Sequence, residues 1–134
     1  MRKLLTEWRK YIMEAKDTNR VAKVILTRGN QVLLLRGASD FYENTWDLPG
    51  GHIQEGEEEM TAAARETKEE TGLEVKDLEE VLDTPQIIYY KARLPGGEIK
   101  LSSEHTAHKM VDQNTIDNED ISQEFKTAVK QSFS

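Results

Sequence analysis

Apolar and polar positions follow two rhythms along this chain, and each rhythm predicts a different element. Leu4, Leu5, Trp8, Tyr11, Ile12 and Ala15 recur at three and four, which predicts an amphipathic helix over residues 3–16. Val21 to Thr27 and Gln31 to Leu35 flank Arg28-Gly29-Asn30 and read as a β-hairpin, in which a buried strand best explains the run Val32-Leu33-Leu34-Leu35. From Glu57 to Thr71 the chain is rich in helix formers with no Gly or Pro inside, and Gly72 suits a left-handed cap. Leu73 to Val81, Gln86 to Ala92, Glu98 to Ser102 and Thr106 to Val111 read as strands, with Pro95-Gly96-Gly97 as a turn. Asn118-Glu119-Asp120 offers a cap for a last helix, Ile121 to Gln131. Mixed strands and helices in this order, with hairpins outnumbering crossovers, predict an α/β fold, an α/β/α sandwich around a mixed sheet.

The central helix carries the candidate chemistry. Glu66, Glu69 and Glu70 stand at i, i+3 and i+4, so their carboxylates share one face, while Met60, Ala64, Thr67 and Thr71 offer an apolar stripe for a sheet on the other. Like charges on adjacent turns destabilise a helix by a few tenths of a kcal/mol per pair, roughly, so a cation is needed to justify them. Arg65 can neutralise part of the cluster and orient a carboxylate by bidentate hydrogen bonds, and oxygen donors at this density suit Mg²⁺ or Mn²⁺. A solvated acidic helix face is the plainer reading, and it fits Glu57-Glu58-Glu59. Upstream, Trp46-Asp47-Leu48-Pro49-Gly50-Gly51 ends a strand in a tight turn, where two glycines allow a positive φ and a close approach of bare backbone to a metal.

Composition narrows the frame. The 134 residues suffice for one domain, expected over 18–134 with residues 1–17 as an extension. For that extension, docking on the domain is the default reading; homodimer pairing and covering the cleft are the alternatives. No stretch approaches the ~20 apolar residues of a membrane span, and the N-terminus lacks the apolar run of a signal peptide, so a cytoplasmic protein is expected. The absence of cysteine excludes disulfides and thiolate metal sites. A formal charge of −7 disfavours binding to polymeric nucleic acid, yet allows a small anionic substrate, because a bound metal inverts the local field.

Gly51, Glu57, Arg65, Glu66, Glu69, Glu70, Gly72 and Leu73 fit the pattern G-x5-E-x7-R-E-U-x-E-E-x-G-U, in which U is aliphatic. This stretch resembles the signature of the Nudix hydrolases, and the frequencies of Gly, Glu and Arg make a chance match rarer than about 10⁻⁵. One position departs: Thr67 stands where the pattern asks for an aliphatic residue, which predicts slightly looser helix packing. The resemblance covers about residues 20–131 and implies the Nudix sandwich and hydrolysis of a nucleoside diphosphate linked to another group, by water attacking phosphorus.

The resemblance also implies roles. Glu66, Glu69 and Glu70, with the Gly50 carbonyl, would hold Mg²⁺ or Mn²⁺; Arg65 would orient them, and Glu57 would be a helix-start or supporting group. The base would be Glu66, Glu69 or a later-loop acid, for which Glu104 in Ser102-Ser103-Glu104-His105 is the candidate. Arg36 reads as a phosphate contact or a solvated strand end. Lys109-Met110-Val111 stands where relatives often carry a Trp-Val step, so that aromatic contact is not expected. Tyr90 lies 17 residues beyond Leu73, near the position of a tyrosine in dinucleoside polyphosphate hydrolases, and reads either as a base-stacking residue or as core. The downstream proline of ADP-ribose hydrolases and the extended motifs of the coenzyme A and NADH branches are missing. Elimination favours a nucleoside or deoxynucleoside triphosphate, modified ones included. The alternatives are a dinucleoside polyphosphate, the 5′ end of an RNA, and a non-catalytic nucleotide-binding domain.

Overall fold

The computed structural model describes residues 20–37 and 45–134, so the amphipathic helix expected over 3–16 lies outside the described residues. In chain order the elements are β1 (Val21–Arg28), β2 (Gln31–Gly37), β3 (Trp46–Asp47), β4 (Gly50–His52) and α1 (Glu59–Thr71). They continue with β5 (Glu79–Asp83), β6 (Ile87–Arg93), β7 (His105–Asp112), a 3₁₀ helix (Gln113–Asn118) and α2 (Gln123–Ser132). No helix among the described residues is long and apolar enough to cross a membrane.

The strands form one mixed sheet, ordered β3-β2-β1-β6-β5, with β4 added to β1 and β7 added to β2. β1 pairs in parallel with β6 from Val21↔Ile87 to Thr27↔Arg93, and every other pairing is antiparallel. β1 and β2 meet only beside their turn, at Thr27↔Val32 and Arg28↔Gln31, and then diverge. The chain from Trp46 to His52 fills that wedge: β3 pairs with β2, the direction reverses at Leu48-Pro49, and β4 pairs with β1. Hydrogen bonds from the Val24 amide to the Pro49 carbonyl (2.8 Å) and from the Ile53 amide to the Arg20 carbonyl (2.9 Å) stitch it in place.

Strand alternation sorts the core into two layers. Ala22, Val24, Leu26, Leu33, Leu35, Ile88 and Tyr90 pack under α1 with Ala62 and Ala63. Ile25, Val32, Leu34, Leu48 and Tyr89 pack under α2 with Ala128 and Val129. The expected α/β/α sandwich is what forms.

Four expectations need correction. The residues that bury α1 are Ala62, Ala63, Thr67, Glu70 and Thr71, whereas Met60 is 47% exposed and Ala64 only half-buried. Small side chains let the helix approach the sheet closely and rotate Glu70 into the contact. The strand expected over 73–81 starts only at Glu79, after an irregular stretch in which Asp77 takes a φ of 54°. Residues 98–102 form no strand, because their amides have another use: Lys100 donates to the Thr71 carbonyl (2.8 Å) and Ser102 to that of Glu70 (3.1 Å). These residues strap the end of α1 and satisfy carbonyls that have no partner inside the helix. The last helix starts two residues later than expected, capped by Ser122, whose hydroxyl accepts from the Phe125 amide (3.1 Å).

Thr67 is fully buried, and its Oγ1 is the one buried side-chain polar atom without a partner among the described residues. The cost of the departure from the aliphatic pattern is thus an unsatisfied hydroxyl rather than a void. Thr67→Val keeps the shape and removes that hydroxyl, so urea denaturation is expected to give a gain of about 1 kcal/mol. A loss of stability would mean that the hydroxyl has a partner in solution.

Candidate active site

The glycine turn and the acidic helix meet through two different contacts. The Gly50 amide donates to Glu70 Oε2 at 2.9 Å. Gly51 lies directly against the Glu66 carboxylate, and a Cβ there would overlap it. Gly50 is held as tightly on its other side, where a Cβ would overlap the Ala22 carbonyl and Lys23, and its φ of 143° is one that side chains rarely adopt. One glycine therefore supplies a donor and the other supplies room.

Arg65 organises the outer half of the cluster. Its guanidinium grips Glu57 with two bonds, Nε to Oε2 at 2.7 Å and NH2 to Oε1 at 3.0 Å. The same group reaches Glu66 Oε1 (3.0 Å), Glu69 Oε1 (3.2 Å) and the His52 carbonyl (3.1 Å). The Gln54 amide also donates to Glu57 Oε1 at 3.0 Å, which fixes this carboxylate at the entrance to α1. Hydrogen bonding to Arg65 holds the Glu57 carboxyl below its ordinary value, and Glu57 in turn chiefly raises the Arg65 guanidinium. Glu57 is thus the anchor of the arginine, gripped by two nitrogens, while Glu66 and Glu69 both accept from NH1.

Glu70 is different in kind. It is 5% exposed, and burial pushes its carboxyl up to about 7, against the Gly50 hydrogen bond and the Lys23 charge, which pull it down. Asp47 and Glu66 add to the upward push. A cation bound beside such a carboxyl would favour its ionised form. Among the described residues no three such groups stand ready as a closed metal cage, since Glu66 and Glu69 are turned onto Arg65. The donor set is still all oxygen, and Glu69, with a side chain 57% exposed, is free to turn.

The other expected residues are distributed as follows. Glu104 is exposed in the turn before β7, its amide bonded to Ser102 Oγ (3.4 Å), so the strap on α1 carries it to the same end of the helix as Glu70. His105 packs beside Ser102 Oγ (3.5 Å), and burial lowers its pKa. Arg36 stands opposite Trp46 in the β2–β3 pairing. Tyr90 is 5% exposed in the core under α1, where burial pushes its phenol up to about 12. Its neighbour Tyr89 faces α2 instead, donating to Glu124 (2.5 Å) and meeting the Phe125 ring edge-on.

Sequence reasoning missed Lys23 and Asp47. Lys23, 9% exposed, donates to Asp47 Oδ2 (3.1 Å) and to the Leu48 carbonyl (3.1 Å). The signal was present, since a charged residue inside Val21-Ala22-Lys23-Val24-Ile25-Leu26 must be paired if the strand is buried.

The NUDIX domain model matches residues 17–128. Among curated proteins, the ADP-ribose pyrophosphatase of Methanocaldococcus jannaschii is 30% identical over 102 residues, which are 69% of this chain and 60% of that protein. The asymmetrical bis(5′-nucleosyl)-tetraphosphatase of Mus musculus is 36% identical over 90 residues, 57% of this chain and 60% of that protein. The chain thus spans less than two thirds of the length of these relatives. Among solved structures, a MutT NUDIX hydrolase from Burkholderia pseudomallei superposes with a TM-score of 0.72 at 19% identity, over 84% of this chain and 96% of that one, a likeness of fold. Taken with the match over 17–128, the glycine turn and the Arg65 cluster identify this chain as a member of the NUDIX domain family.

Proposed function

We propose that this chain is a metal-dependent pyrophosphohydrolase acting on a nucleoside diphosphate linked to another group. The observation that carries this reading is Glu70: a buried carboxyl, held by the Gly50 amide at 2.9 Å and pushed up to about 7 by burial, beside Glu66 and Asp47. Glu66, Glu69 and Glu70, with the Gly50 carbonyl, would hold Mg²⁺ or Mn²⁺. When bound, the metal supplies positive charge to the phosphoryl oxygens and lowers the pKa of water. The protein's own groups do the rest. Arg65, anchored on Glu57, sets the direction of Glu66 and Glu69. The Gly50 and Gly51 backbone fixes Glu70 and Glu66 relative to the sheet. Glu66, Glu69 and Glu104 are the three candidates to accept the proton of the attacking water, and Arg36 is a candidate phosphate contact.

The substrate proposed first is a nucleoside or deoxynucleoside triphosphate, modified ones included. A dinucleoside polyphosphate is the second reading, supported by the activity for which the mouse relative is named. Tyr90 is left out of both, because its ring is enclosed under α1. The net charge of −7 supports a small nucleotide over polymeric nucleic acid. A panel of canonical and oxidised nucleoside triphosphates, dinucleoside polyphosphates, ADP-ribose and 5′-triphosphate RNA, run with Mg²⁺ and with EDTA, tests the choice. Metal-dependent release of phosphate or pyrophosphate from one class supports the enzyme; silence on all of them supports a nucleotide-binding module.

Two further outcomes are expected. Glu69→Gln and Glu70→Gln should leave the far-ultraviolet spectrum unchanged while turnover falls by about 100-fold or more. Near-normal rates at saturating Mg²⁺ would remove these residues from the ligand set. The second outcome concerns pH. In the metal-free protein Glu70 has a folded pKa of about 7 against an ordinary 4.5, so between these values the folded state holds a proton that the unfolded chain has released. Stability in EDTA should therefore fall as pH rises through this window, by up to about 3 kcal/mol, and the fall should vanish in Glu70→Gln. Urea denaturation across the window reads this directly, and identical pH profiles for the two proteins would show that Glu70 titrates normally.

A further inference from the structure

Lys23 is a buried cation that neither core requires. It lies on β1 between Ala22 and Val24, both fully buried, where an apolar side chain would serve packing as well. Its ammonium sits 5.9 Å from the centre of the Phe125 ring and bonds to Asp47 Oδ2 and the Leu48 carbonyl, each at 3.1 Å. Asp47 uses its other oxygen to accept from the Leu48 amide at 2.7 Å. Lys23 is also the register partner of Gly50, so closely apposed that a Cβ on the glycine would overlap the Lys23 Cα and Cδ. One side chain thus clamps the approach to the glycine turn and lies against the turn itself.

We propose that Lys23 is a positioning residue for the metal site: paired with Asp47, it braces the turn so that Gly50 presents its amide to Glu70 and its carbonyl to the metal. The inference rests on the proposed function and adds a residue to it. The brace explains why a charge is kept inside an otherwise apolar strand. The ammonium donates to the Asp47 carboxylate and the Leu48 carbonyl together, and its charge makes the bond to Asp47 stronger than a neutral amide or hydroxyl would.

The brace can be separated from a bare charge effect by direction. At about pH 8.5, well above the Glu70 value of about 7, so that the help Lys23 gives to ionising Glu70 drops out, a positive charge near a cation site only repels the metal and its removal should tighten metal binding; loss of a brace should weaken it. Mn²⁺ binding to the full chain without nucleotide, followed by electron paramagnetic resonance of the free ion, is expected to weaken about 10-fold in Lys23→Met. In the same variant, exchange of the Gly50 amide, resolved by nuclear magnetic resonance, is expected to speed up. Equal or tighter Mn²⁺ binding in folded Lys23→Met would overturn the proposal. Should that variant fail to fold, Asp47→Asn cuts the pair at its half-exposed end, and unchanged Gly50 exchange there would overturn it equally. If the unchanged chain binds no Mn²⁺, the metal reading of Glu66, Glu69 and Glu70 falls first and takes this inference with it.

Discussion

The hydrogen bond from the Gly50 amide to Glu70 is the joint on which the molecule turns. It connects the wedge between β1 and β2 to the helix that lies across them, and it does so with backbone on one side and a buried carboxyl on the other. Most of the local architecture serves to make that approach feasible. β1 and β2 diverge to admit the segment, Leu48-Pro49 reverses it, and Ala62 and Ala63 let α1 settle close to the sheet. A carboxyl so placed is poorly solvated, and the protein leaves it so: its nearest help comes from one amide and from the charge of Lys23. Electrostatic discomfort of this kind is tolerated where a ligand relieves it.

Around that joint, the acidic residues divide by how they meet Arg65. Glu57 accepts two bonds from Arg65 and one from the Gln54 amide, a geometry that leaves it little freedom. Glu66 and Glu69 share a single guanidinium nitrogen. An arginine that grips one carboxylate with two nitrogens and shares a third contact between two others neutralises part of their charge, which limits the repulsion that adjacent carboxylates would otherwise exert on the helix.

What was legible in the sequence follows the range of the interactions involved. α1 and its cap were readable because their signals, helix formers and Gly72, lie within the element or at its end; β1, β2, β6 and β7 were readable because their apolar residues and the turns that bound them are local to each strand. The strap over 98–102 was misread as a strand because its partners are the carbonyls of Glu70 and Thr71, which no local pattern announces. Tyr89 and Tyr90 illustrate the sharpest limit. Spacing from the motif brings one to this pair, and only the pleat decides which ring enters the core under α1 and which faces α2. Glu57 reads as a supporting residue in the sequence, yet it stands just outside the helix, before the Glu58 cap, so its grip on Arg65 cannot be counted from helix periodicity.

The strap also divides the long connection from β6 to β7 into two parts with different tolerance for change in length. The exposed turn at Gly96-Gly97 makes no backbone bond to α1, so residues inserted there extend into solvent. Between Lys100 and His105 the chain is measured: amides at Lys100 and Ser102 close the helix, and two residues later comes Glu104. One residue added in that interval would carry Glu104 away from the helix end or strip a terminal carbonyl of its donor. Lineages descending from such a chain can therefore lengthen this loop freely only on its β6 side, and the spacing from strap to acid acts as a ruler laid against the helix.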